Sequence, residues 1–187
     1  RPDPTTGEDV EIPNCPIYIR LNLFNAGKSP SPCEVVAARF AEAFAADGEA
    51  AGVASFFKEK SLGDRLYNKF RSSRTAVQKR IFLIFDQFEE FFSYPAEAQL
   101  QFRQELSELL YTQIPQAVRD AMEGLDRAAK RHLHQPMEIH ALFAVRADRL
   151  HLLNGLREEL PATIRFWERQ GFREIRRESP NVELRRP

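Results

Sequence analysis

Cysteine is scarce in this sequence: Cys15 and Cys33 are the only two among 187 residues. That excludes a disulfide framework of the kind that staples small secreted domains, and a reducing cytoplasm is the expected compartment. Long apolar runs are missing too, since nothing approaches the ~20 residues needed to cross a bilayer, and no secretory leader is visible. A charge excess of either sign is absent, with 27 basic against 27 acidic side chains. A surface devoted to nucleic acid or to an anionic membrane is therefore not expected. A phosphate-binding loop is also lacking. Gly27-Lys28-Ser29 matches its end, but Asn22 stands where the earlier glycine belongs, and Pro30 and Pro32 stand where the helix should begin. The string is read as a plain loop.

What remains is an ordinary globular composition, 43% hydrophobic and 29% charged, in a chain long enough for one α/β core. Its organising stretch is Ile81-Phe82-Leu83-Ile84-Phe85-Asp86-Gln87-Phe88-Glu89-Glu90-Phe91-Phe92. Five consecutive apolar residues read as a short strand buried on both faces, because a half-exposed strand would alternate. The strand stops at Asp86. In open parallel sheets ligands sit just beyond the carboxyl ends of the strands, where a functional carboxylate is expected. Such a layout suits a Walker B element: the Asp holds Mg²⁺ through water, and a nearby Glu orients or deprotonates the water that attacks a terminal phosphate. The plainer alternative is that Asp86 caps the next helix, with Glu89 and Glu90 favouring its positive end.

The string IFLIFDQFEEFF resembles the Walker B signature of STAND-type P-loop NTPases, a hydrophobic strand running into D-Q-F-E-E-[LF]-F. Ala141-Leu142-Phe143-Ala144-Val145-Arg146-Ala147-Asp148-Arg149-Leu150 resembles that family's following strand, which ends in an R-x-D step. The stretch Leu152 to Pro161 is similar to what comes next, so the likeness spans about Pro16 to Pro161. It implies a three-layer, mostly parallel α/β sheet with flanking helices, a single partial P-loop NTPase domain over residues 1–187, incomplete at its N-terminus. Because the chain begins with Arg1, the phosphate loop and its strand are expected upstream. ATP and Mg²⁺ are the implied cofactors. Asp86 would bind the metal through water, Glu89 and Glu90 would position the attacking water, and Arg146 would sense the γ-phosphate.

Along the chain, residues 1–15 read as a loop, on Pro2, Pro4, Gly7 and Pro13, and Pro16 to Leu23 as a strand. Helical spacing runs from Glu34 to Ala46 and from Val53 to Phe70, the second broken near Gly63 and followed by a polar Arg71-Ser72-Ser73-Arg74. Ala96 to Leu110 and Gln116 to Leu133 are further helices, and Glu138 to Val145 is a strand. If that strand is parallel to the Ile81 strand, Arg146 reaches the same sheet edge as Asp86. A guanidinium there can pair with a γ-phosphate, or simply with Asp148, Glu89 or Glu90. Asp148 reads as a cap for a helix Arg149 to Leu160. His132 and His134 read as a solvated helix end, not a metal site.

Residues 162–187 depart from the family. Phe166-Trp167-Glu168-Arg169-Gln170-Gly171-Phe172 resembles a step near the end of GNAT acetyltransferases, whose cofactor loop is absent here. The expected function is part of an ATP-hydrolysing STAND-like switch for signal transduction, which oligomerises with itself and works with effector or repeat domains. A fragment without the phosphate loop would bind nucleotide poorly. Two other readings stay open: a non-catalytic α/β interaction module, and an acetyltransferase remnant resting on the tail alone.

Overall fold

The computed structural model describes residues 12–50, 52–60, 62, 64–110, 114–149 and 151–152. The chain divides into two units, residues 1–150 and 151–187, and every element below lies in the first. Three strands, β1 (Asn14–Arg20), β2 (Arg80–Asp86) and β3 (Glu138–Phe143), form one parallel sheet in the order β1-β2-β3. Between β1 and β2 run α1 (Pro32–Ala43), α2 (Val53–Glu59) and α3 (Leu66–Ser72). Between β2 and β3 run α4 (Ala96–Leu110), α5 (Gln116–Ala121) and α6 (Arg127–His134). The α/β class and the parallel sheet are thus as expected.

Both crossovers step across the sheet in one direction, and with the usual right-handed connection both must fall on the same face. Burial agrees. Ile17, Ile19, Ile81, Leu83, Phe85 and Ala141 are buried, while the alternate residues Tyr18 and Leu142 are 68% and 54% exposed. β2 is therefore not buried on both faces as its unbroken apolar run suggested, because Phe82 and Ile84 are only half-buried. Among the described residues the helices form one layer, with α1 packed on β1 and α4 on β3.

The first strand starts two residues before the expected Pro16 and ends three before Leu23, because its register follows β2 from Asn14↔Arg80 to Arg20↔Asp86. Ser31 opens α1 with a capping box: its Oγ accepts from the Glu34 N–H at 3.3 Å, and the Glu34 carboxylate accepts from the Ser31 N–H at 2.7 Å. Gly27-Lys28-Ser29 is a turn, in which Lys28 and Ser29 both donate backbone N–H to the Asn25 carbonyl at 3.0 Å.

Two helical expectations need correction. The single helix Gln116 to Leu133 is broken at Gly124, whose φ of 94° no ordinary helix residue adopts, and Asp126 restarts it by accepting from the Ala129 N–H at 2.7 Å. Arg71, read as the first residue of a polar stretch after the helix, lies inside α3 and is buried. Its guanidinium donates to the carbonyls of His132 and Gln135 at the end of α6, and the His132 ring meets the Arg71 carbonyl at 2.9 Å. His132 is therefore docked on α3, not solvated; His134 is exposed. Val53, Phe56, Phe57, Tyr67, Val118, Met122, Ala129 and Leu133 form the apolar cluster beneath this junction.

Candidate functional site

The carboxyl ends of the strands converge at one edge. β1 and β2 end level there, and the final pairings of β2 are Arg20↔Asp86 on one side and Phe85↔Phe143 on the other. The β3 ladder continues for one further step: Ala144 donates to the Phe85 carbonyl at 2.8 Å, and Phe88 donates to the Ala144 carbonyl at 2.9 Å. Between these bonds the chain must turn back sharply. Gln87 does this with φ 53° and ψ 47°, the only non-glycine residue of positive φ among those described. A side chain in that left-handed region costs about 1–2 kcal/mol, so the surroundings must hold it there.

The turn that follows is a 3-10 helix, Phe88–Ser93. With three residues per turn, positions i and i+3 share one face. Phe88 and Phe91 occupy that face, stacked at 4.9 Å, and both are buried. Phe88 meets Phe143 at 4.5 Å, Phe91 meets Phe102 at 5.1 Å, and Phe85 stacks on Phe143 at 4.9 Å. Glu89 and Glu90, between the two pins, are thereby held at the boundary with solvent, half-buried. The spacing F-E-E-F is the local cause of their exposure.

Asp86 is exposed, and among the described residues it has no hydrogen-bond or ion-pair partner. It does not cap the following turn, which has Gln87 at its cap position and no side-chain cap bond. Glu89 accepts from the Arg146 backbone N–H at 3.4 Å. Ser93 donates to the Glu90 carbonyl at 2.6 Å and accepts from the Phe24 N–H at 2.9 Å, which ties the chain after β1 to the acidic turn. Burial, and then the Glu90 carboxylate, push the Tyr94 phenol above its ordinary value.

Because β3 is parallel to β2, Arg146 does lie at the Asp86 edge. Its guanidinium forks onto Asp148, Nη2 to Oδ2 at 2.9 Å and Nε to Oδ1 at 3.2 Å, with both side chains exposed. Asp148 lies in a 3-10 turn, Ala147–Arg149, and residues 153–160 of the helix expected from Arg149 to Leu160 fall outside the described residues, as does the 166–172 string. One member of this edge went unnoticed in the sequence. Arg20 donates from Nη2 to Gln87 Oε1 at 2.6 Å. Only the strand register, which brings Arg20 beside Asp86, identifies it.

Asp86 supplies an exposed oxygen donor with two further carboxylates in the next turn, a hard-ligand set that suits Mg²⁺. Among the described residues no three His, Cys, Asp or Glu groups converge into a metal cage. A Mg²⁺ held at Asp86 would therefore depend on ligands from outside the described residues. An open groove of ≈ 1040 Å³ between α1, α2 and α3 shares no residue with this edge. No helix among the described residues is long and apolar enough to cross a membrane.

No family profile matches the chain, and no curated protein or solved structure is significantly similar to it.

Proposed function

We propose that this chain is part of a STAND-like P-loop NTPase, a cytoplasmic switch that binds Mg·ATP across the carboxyl edge of its parallel sheet and hydrolyses it slowly. The observation that carries the reading is one juxtaposition. The central strand ends in the carboxylate of Asp86, unpartnered among the described residues; Glu89 and Glu90 follow in the next turn, and Arg146 stands past the parallel neighbour strand.

Asp86 would hold Mg²⁺, which would supply charge neutralisation at the phosphates, since a lone carboxylate is the way Mg²⁺ is usually met in nucleotide sites. Glu89 or Glu90 orients the attacking water and accepts its proton. Arg146 would exchange its fork on Asp148 for the γ-phosphate, which would give the switch its signal. Self-association and coupling to effector or repeat domains rest on the family resemblance. The test is equilibrium binding of ATP to the full-length protein with Mg²⁺ and with EDTA, followed by turnover of Glu89→Gln and Glu90→Gln. Binding that needs Mg²⁺, with turnover at least ~100-fold lower in one of the two variants, supports the assignment.

A second reading is an interaction module without nucleotide chemistry. It is favoured by the fork that already neutralises Arg146 and by the exposed apolar residues Tyr18 and Leu142 on the open sheet face. Full-length protein that ignores Mg·ATP yet retains its fold would select it.

A further inference from the structure

The two arginines at the strand edge are held differently. Arg146 is gripped by a carboxylate in a two-bond fork, so its charge is already matched. Arg20 makes one hydrogen bond, 2.6 Å long, to the neutral amide of Gln87, and among the described residues it has no carboxylate within ion-pair distance. Its exposed side chain therefore presents a full positive charge at the edge. Arg20 and Asp86 are register partners on adjacent parallel strands, so their side chains leave the same face of the sheet.

From this geometry we infer that Arg20 is a phosphate-binding residue of the site, and that its bond to Gln87 is the resting contact it exchanges for a phosphate oxygen of the bound nucleotide. The inference rests on the nucleotide reading above. A triphosphate entering an edge that already carries Asp86, Glu89, Glu90 and Asp148 brings several more negative charges. The magnesium ion offsets two of them. A guanidinium beside the metal-binding carboxylate offsets another, and it loses only a neutral hydrogen bond in doing so, whereas Arg146 must first break an ion pair. Gln87 serves as the parking place. The backbone ladder there is completed by Phe85, Phe88 and Ala144, and the Gln87 Oε1 receives Arg20.

The alternative is that the Arg20–Gln87 bond is a structural latch that holds the turn in shape. Five forms of the full-length protein separate the two: wild type, Asp86→Ala, Arg20→Met, Arg20→Lys and Gln87→Gly, each titrated with Mg·ATP. Arg20→Met removes the charge and keeps much of the side-chain length. Gln87→Gly removes the latch, suits the positive φ, and leaves Arg20 free. A phosphate ligand at Arg20 gives a Kd raised ~10- to 100-fold by Arg20→Met, partly restored by Arg20→Lys, with Gln87→Gly binding as tightly as wild type or more tightly. A latch gives equal losses in Arg20→Met and Gln87→Gly, which overturns the inference. Arg20→Met within twofold of wild type, while Asp86→Ala loses binding, also overturns it and leaves the nucleotide reading standing. Wild type that does not bind Mg·ATP removes both together, and that outcome is recognised without any variant.

Discussion

The Arg146 guanidinium grips Asp148, two residues further along, through two parallel hydrogen bonds of 2.9 and 3.2 Å. The pair is exposed, so it adds little to stability, of the order of 0–1 kcal/mol. Its consequence lies in availability, since a forked arginine is withheld from any incoming phosphate until the fork opens.

Asp148→Asn should release that arginine. With the full-length protein the Kd for Mg·ATP is expected to fall by ~3- to 10-fold, while the urea midpoint stays close to wild type, as an exposed pair of this kind implies. Arg146→Ala should raise the Kd instead. Opposite signs in the two variants are the diagnostic result; a loss in both means that Asp148 itself contributes to binding.

The acidic turn depends on its aromatic pins. Phe91 is fully buried between Phe88 and Phe102, so Phe91→Ala should destabilise the protein by about 3–5 kcal/mol, the usual range for a buried aromatic truncated to alanine. Phe91→Leu should cost clearly less. Denaturant unfolding measures both, and an alanine variant within 1 kcal/mol of wild type would show that the ring stack does not hold the turn.

The break between α5 and α6 gives a backbone test. Gly124→Ala forces a Cβ into a positive-φ position with open space around it, so the penalty is conformational and about 1 kcal/mol. Asp126→Ala removes the cap of α6 and should cost about 1 kcal/mol more. Unfolding of the two single variants and of the double variant checks both values.

Burial on α3 pushes the His132 imidazole below its ordinary 6.5; its bond to the Arg71 carbonyl pulls it up, and the Arg71 charge pushes it down again. The unfolded chain therefore binds the proton first, and stability rises with pH wherever that difference holds. The contribution is fully present above about pH 6.5 and is lost as the pH falls through the lower folded value. Urea midpoints between pH 7.5 and 5 should drop more steeply for wild type than for His132→Gln. Parallel profiles would mean that His132 titrates alike in both states.

Much of this edge is legible in sequence, for local reasons. An apolar run ending in an acid, followed by F-E-E-F, specifies a strand, a tight turn and two outward carboxylates within twelve residues, and Ala96–Leu110 appears as the helix that its periodicity predicts. What escaped depends on contacts between distant segments. Arg20 is one charged residue in a strand until its register with Asp86 is known. Arg71 looks like part of a polar stretch because it sits beside Ser72, Ser73 and Arg74, yet the end of α6 offers it two carbonyls, and it is buried. The apolar run of β2 hid the open face of the sheet, since composition does not tell which side receives the helices; the direction of the two crossovers does.

The central claim is that Asp86 holds magnesium for a nucleotide, and Mg²⁺-dependent ATP binding by the full-length protein, wild type beside Asp86→Ala, tests it most directly. The account predicts saturable binding that requires Mg²⁺ and is weakened at least ~10-fold by Asp86→Ala, without a matching loss of stability, because Asp86 is exposed and unpartnered among the described residues. Equal affinity in the two proteins, or no ATP binding by wild type, would contradict it and leave the carboxyl edge as a surface for another partner.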